Sequence, residues 1–165
     1  MSGPPAAAFL DRDGTINVKA PEGDYIESPS RVELLPGSAE EIARLNAAGV
    51  PVLIVTNQRG IALGRMTEAD LERVHARLAS LLAERGARVD GWYHCPHDHG
   101  ECDCRKPGTA MFERAAADHG IDLTAALVVG DAESDVEAGR RVGARTILLG
   151  RDAPDLAAAV RDALG

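Results

Sequence analysis

Short, mostly apolar runs alternate along this chain with segments of helical period, and several of the runs end in a turn that carries an acid or a hydroxyl. The runs are Ala6 to Leu10, Pro51 to Val55, Gly91 to His94, Ala126 to Val129 and Thr146 to Leu149. Between them lie helical stretches from Ser38 to about Ala48, from Thr67 through Leu71, Val74, Leu78, Leu81 and Leu82, from Thr109 to His119, from beyond Asp131 to about Val142, and from about Pro154. Ser38 with Glu41 reads as a capping box, and Gly49 as the stop of the first helix. Strand and helix in strict alternation predict an α/β fold: a Rossmann-like doubly wound, mostly parallel sheet with helices on both faces. Residues 16 to 36 hold Pro21, Gly23, Pro29 and Pro36 without a clear period, and read as an irregular flap. At 165 residues and 45% hydrophobic, the chain is expected to form one domain over 1–165, with no stretch long enough for a separate lid.

A formal charge of -8 argues against a nucleic-acid groove or an anionic membrane face, both of which need clustered cations. A small anionic metabolite needs only a few, so such a partner stays open. The cations are 16 Arg and two Lys, Lys19 and Lys106, which singles out each lysine. Met1 to Leu10 shows neither a basic leader nor an apolar span, so a soluble, cytoplasmic chain is expected, and a monomer.

In a doubly wound sheet, ligands gather beyond the carboxyl ends of the strands. That rule directs Asp11, Asp13, Thr56, Asn57, Lys106 and Asp131 toward one crevice. Asp11-x-Asp13 alone is equally an ordinary Asp-rich turn or a carboxylate pair suited to a hard divalent cation and to nucleophilic attack. Thr56 follows a buried strand and can bond a phosphate oxygen, with the free amides near Asn57 as further donors. Lys106 is a compact cation able to hold a phosphoryl group, and Asp131 can complete a Mg²⁺ site. Cys95-x-His97-x₄-Cys102-x-Cys104 offers four ligands within ten residues, a closed tetrahedral Zn²⁺ set whose alternatives are a chance cluster or a redox pair. His75 and His119 read as surface residues, and Trp92 as core.

With these motifs in this order, Asp11-Arg-Asp-Gly-Thr15, Thr56-Asn57, Lys106, and Gly130-Asp131 with Asp135, the chain resembles the haloacid dehalogenase superfamily. Phe9-Leu-Asp-Arg-Asp-Gly-Thr-Ile-Asn17, Val55-Thr-Asn-Gln-Arg-Gly-Ile-Ala62 and the Cys/His loop narrow the resemblance to its heptose-bisphosphate and histidinol-phosphate phosphatases, which have a zinc-binding loop insertion and no cap domain. The resemblance implies that Asp11 is the nucleophile and Asp13 the general acid and base. It makes Asp11, the Asp13 carbonyl and Asp131 the Mg²⁺ ligands and Thr56 and Lys106 the phosphate pair, and it puts Asn57 and Gln58 in the pocket lining; Arg105, beside Lys106, reads as a substrate contact whose alternative is a solvated charge. Ala132 and Gly108-Thr109-Ala110 depart from the group's usual Lys and Pro-Gly at these places. A sugar bisphosphatase is thus expected first, a histidinol-phosphate or other small-metabolite phosphatase second, and a non-catalytic zinc and phosphate module third.

Overall fold

The computed structural model describes residues 3–165; Met1 and Ser2, the start of the stretch read for a leader, lie outside them. Five strands form one sheet: β1 (Ala8–Leu10), β2 (Val52–Asn57), β3 (Gly91–Cys95), β4 (Leu127–Gly130) and β5 (Arg145–Leu148). Their order is β3-β2-β1-β4-β5, and every pairing is parallel. The sequence reading allowed a mixed sheet; the helical crossovers between successive strands keep it wholly parallel.

The central strands β1, β2 and β4 are buried on both faces, which is why they are near-continuous apolar runs, whereas the edge strands β3 and β5 are partly exposed. Successive residues point to opposite sides, and the core divides accordingly. Leu10, Ile54 and Val129 pack with α1 (Ser38–Ala47), α2 (Glu68–Ala83) and α5 (Leu156–Leu164). Phe9, Leu53, Val55 and Val128 pack on the other face with α3 (Ala110–His119) and α4 (Glu133–Arg141). Phe9 and Phe112 meet there with ring centroids 5.2 Å apart.

Two helix starts show how local chemistry fared. Thr67, read as the start of α2, is its cap, the hydroxyl accepting from the Asp70 amide while the Asp70 carboxylate accepts from the Thr67 amide. The Ser38 box does not form: Gly37, in the left-handed region at φ 81°, is the cap of α1, and Ser38 becomes its first residue with a buried, unpartnered hydroxyl. The tight turn from Leu35, whose carbonyl accepts from the Ser38 amide, draws Ser38 into the helix.

The flap leaves and returns beside itself, with Val18 N–H donating to the Glu33 carbonyl and Leu35 N–H to that of Ile16. Arg31 pins its middle by bonding Asp24, Glu27 and the Tyr25 carbonyl. From β1 the chain winds first to β2 and β3 and then, on the other side, to β4 and β5, so the winding reverses between β1 and β4. The crevice opens there, beyond Leu10 and Gly130. Among the described residues no helix is long and apolar enough to cross a membrane.

Phe112 is wholly buried in the α3 face of the core. Phe112→Ala is expected to cost about 3–5 kcal/mol of unfolding free energy in urea titration; a loss below about 1 kcal/mol would show that this face packs loosely.

Candidate active site

Asp11 stands immediately beyond β1, its amide donating to the Val129 carbonyl of β4. Asp131 stands in the equivalent place beyond β4, and Asp135 one turn along in α4. Carboxylate oxygens of all three lie within 4.8 Å of one another. Two glycines permit this approach. Gly14 turns the chain at φ 82°, and a Cβ built on it would sit 2.1 Å from Asp131 Oδ2; one on Gly130 would sit 2.1 Å from Asp135 Oδ2.

Lys106 reaches the acids from the far side, 4% exposed. Its Nζ donates to Asp11 Oδ1 at 2.9 Å, Asp135 Oδ1 at 2.5 Å and the Val55 carbonyl at 2.7 Å. Burial alone would favour the neutral amine, but Asp11 and Asp135 outweigh it and keep Lys106 charged. Burial pushes the Asp11 carboxyl above its ordinary range; Lys106 opposes this, while Asp135 and Asp13 add to it. Asp131 is raised too, by burial and then by Asp11, against Lys19, whose Nζ reaches its Oδ2 at 3.2 Å from the flap. Oxygen donors crowded against each other's charge match what a hard divalent cation requires, so this set fits Mg²⁺.

Asp13 lies apart from that cluster. Its Oδ1 accepts from Arg12 Nη2 at 2.7 Å and Asn17 Nδ2 at 3.0 Å, and its Oδ2 from Gln58 Nε2 at 3.1 Å. Burial raises the Asp13 carboxyl, but the Arg12 charge and these three donors bring it below the ordinary range.

The four sulfur and nitrogen ligands of the Cys/His loop also converge. Cys95 Sγ lies 3.4 Å from Cys102 Sγ and 3.0 Å from Cys104 Sγ, with Cys102 and Cys104 3.2 Å apart. His97 Nδ1 is 3.2 Å from Cys104 Sγ and 3.6 Å from Cys95 Sγ. No disulfide joins them. Ligand bonds of about 2.0–2.3 Å give a zinc tetrahedron edges of roughly 3.3–3.8 Å, close to this spacing. From the loop the Arg105 amide donates to Cys102 Sγ at 3.3 Å, and the Asn57 amide group brackets the Lys106 backbone, accepting from its N–H at 3.0 Å and donating to its carbonyl at 3.3 Å.

A family model described as "HAD-hyrolase-like" matches residues 103–162. The D-glycero-beta-D-manno-heptose-1,7-bisphosphate 7-phosphatase of Pseudomonas aeruginosa is 44% identical over 143 residues, covering 86% of this chain and 79% of that protein. The enzyme of the same name from Escherichia coli O6:H1 is 38% identical over 154 residues, 88% of this chain and 79% of that one. A crystal structure of D,D-heptose 1.7-bisphosphate phosphatase from B. bronchiseptica, complexed with magnesium and phosphate, superposes with a TM-score of 0.86 at 32% identity, over 94% of this chain and 97% of the other. The chain belongs to the haloacid dehalogenase-like hydrolases.

Within that family frame, Asp11, Asp13, Asn57, Gln58, Arg105, Lys106 and Asp131 all line one crevice of about 370 Å³, which the flap walls with Lys19 to Ile26. Thr56 is buried and is not among the lining residues; its Oγ1 accepts from Gln58 Nε2 at 3.0 Å. The Asn57 side chain is spent on Lys106. His119 is exposed as read, whereas His75 is half-buried: its ring stacks on Trp92 at 4.6 Å and accepts from Arg12. Burial, then Arg12 and His94, push the His75 ring down to about 3.

Three residues acquired places that the sequence reading did not assign. Asp135 belongs to the resemblance's fourth motif but has no role assigned in the sequence reading; its position as N3 of α4 lets one oxygen accept from the Ala132 amide while the other meets Lys106. Lys19 was conspicuous only by rarity. Arg12, between two site acids, carried no signal beyond adjacency.

Gly130→Ala is expected to keep the far-UV circular dichroism of the parent and to lower turnover by about 10²-fold, since Asp135 must move away from Lys106. Full activity in that variant would mean that the Lys106–Asp135 contact is dispensable.

Proposed function

We propose that the chain is a Mg²⁺-dependent phosphatase that releases the C7 phosphate of D-glycero-D-manno-heptose 1,7-bisphosphate through an aspartyl-phosphate on Asp11. The observation that carries the chemistry is the Asp11–Lys106–Asp135 contact at the switch point, with Asp131 beside it. The relatives' names supply the substrate.

The nucleophilic oxygen of Asp11 attacks phosphorus, forming an acyl-phosphate bond as the ester P–O bond breaks. Asp13, once it has taken up a proton, gives it to the departing sugar oxygen, then recovers one from the water that attacks the acyl-phosphate and frees inorganic phosphate. Lys106 and the Thr56 hydroxyl hold the transferring phosphoryl group. Mg²⁺, held by Asp11, the Asp13 carbonyl and Asp131, would neutralise charge on phosphoryl oxygens. Asp135 serves by fixing Lys106. Gln58 joins Asp13 to Thr56 and so couples the proton shuttle to the phosphate grip.

Arg105 supports the bisphosphate reading. It lines the crevice, and its Nη1 is buried with no protein partner. A second phosphate gives that nitrogen a charge-assisted bond. Zn²⁺ on Cys95, His97, Cys102 and Cys104 has a structural part in this scheme, ordering the loop that delivers Arg105 and Lys106. The enzyme acts as a one-domain cytoplasmic monomer over residues 1–165.

Turnover of a panel of phosphate esters tests the substrate. Heptose 1,7-bisphosphate is expected to give the highest kcat/KM, abolished in Asp11→Asn, and Arg105→Ala is expected to narrow its lead over monophosphates by about 30- to 1,000-fold. Preference for histidinol phosphate, or equal loss on mono- and bisphosphates, would return the site to a generic small-metabolite phosphatase.

Metal analysis is expected to find one zinc per chain in protein purified without chelator. Its removal should loosen the Cys/His loop, raise KM and leave the sheet folded. Three freely titrating thiols in the native protein as purified would end the zinc assignment.

A further inference from the structure

We propose that buried Arg12 and half-buried His75 form a support that fixes Asp13 through Oδ1 and leaves Oδ2 as its reacting oxygen. This inference rests on the reading of Asp13 as proton shuttle.

Arg12 is 1% exposed, among the most deeply buried large side chains of the protein. Asp13 is its one carboxylate partner among the described residues. Burying a guanidinium against a single carboxylate is a poor way to stabilise a fold: apolar residues of similar volume often do as well or better. The Nε of Arg12 is buried without a partner as well, an added cost. A packing role therefore accounts badly for this residue.

Its geometry accounts for it better. The two terminal nitrogens of the fork are aimed at different groups: Nη2 at Asp13 Oδ1, 2.7 Å away, and Nη1 at His75 Nε2, 3.1 Å away. Guanidinium nitrogens only donate, so His75 Nε2 must be the acceptor, with the ring hydrogen on Nδ1. The His75 ring is itself held by stacking on Trp92. The carbonyl of Arg12 receives the Ile16 amide at 2.8 Å and, at longer range, those of Thr15 and Asn17, which locks the turn around it. The acid is thereby braced from α2 and β3, two elements that carry none of the acids themselves.

The bracing is unequal between the oxygens of Asp13. Oδ1 takes both Arg12 and Asn17, and has little capacity left for a proton. Oδ2 takes only the neutral Gln58 amide, which is weaker than a charge-assisted contact. Oδ2 is thus the oxygen that can hold and release a proton, and Arg12 and His75 are positioning residues that set its direction.

A leaving-group comparison separates this role from a general structural one. A sugar phosphate must have its departing alkoxide protonated, whereas the phenolate of p-nitrophenyl phosphate leaves without help. Asp13→Asn is the reference, expected to lower kcat/KM far more for the sugar phosphate than for the aryl ester. Arg12→Lys, which keeps the charge but not the fork, and His75→Leu are expected to reproduce that imbalance at smaller size: a loss of about 10- to 100-fold on the sugar phosphate and under about threefold on the aryl ester. His75→Gln, which restores an acceptor, is expected to recover most of the loss. Should Arg12→Lys fail to fold by circular dichroism, the two His75 variants decide. An imbalance in Asp13→Asn without one in the support variants overturns the inference alone; equal losses in Asp13→Asn remove the shuttle reading, and the inference with it.

Discussion

The ammonium of Lys106 sits where three parts of the chain would otherwise repel or fail to meet. It bonds Asp11 after β1, Asp135 in α4 and the Val55 carbonyl of β2, so it ties both halves of the doubly wound sheet at the point where the winding reverses. Removing one partner of a buried, hydrogen-bonded pair costs about 3–5 kcal/mol, because the remaining charge stays desolvated. Here two carboxylates would be left facing each other. Lys106 can serve only because its backbone is gripped by Asn57 and preceded by the Cys/His loop. The Cys/His loop, the tip of β2 and the acids after β1 and β4 are therefore one mechanical unit.

Charge explains how that unit changes with occupancy. The crevice lining brings six negative charges, Asp11, Asp13, Glu22, Asp24, Asp131 and Asp135, against five positive ones from Lys19, Arg59, Arg105 and Lys106 with Arg12 behind Asp13. The excess of one is destabilising in a desolvated crevice, and a divalent cation reverses its sign. A phosphate dianion then finds a site of the right polarity, while the acidic remainder of the surface discourages polyanions. Lys19 has a double position in this balance, since it neutralises the same Asp131 that a metal would claim.

Much of this was legible in the sequence because strand ends are local signals. An apolar run followed within a residue or two by Asp or Thr places that residue at the carboxyl end of a strand, and parallel order then brings such ends together; Asp11, Thr56 and Asp131 are legible that way. Four metal-type ligands within ten residues need no knowledge of tertiary structure either. What escaped depends on distance. His75 pairs with Arg12 across 63 positions and Lys19 with Asp131 across 112, and no periodicity marks such contacts. Ser38 misled for a related reason: the capping pattern was present, but the turn from Leu35 had already taken it into the helix.

Gly14 and Gly130 bear on how this protein can vary over time. Neither offers a functional group, yet each occupies a place where a single methyl would overlap a carboxylate oxygen at 2.1 Å. Arg105 or Gln58 could be exchanged by degrees, with a changed substrate as the outcome, because a neighbouring side chain or a water can take over part of a polar contact. No such gradation exists at the glycines, where the next smallest residue already collides. Two positions that contribute only empty space thus constrain this crevice alongside the groups that bind and react, and new specificities in such a scaffold arise around them.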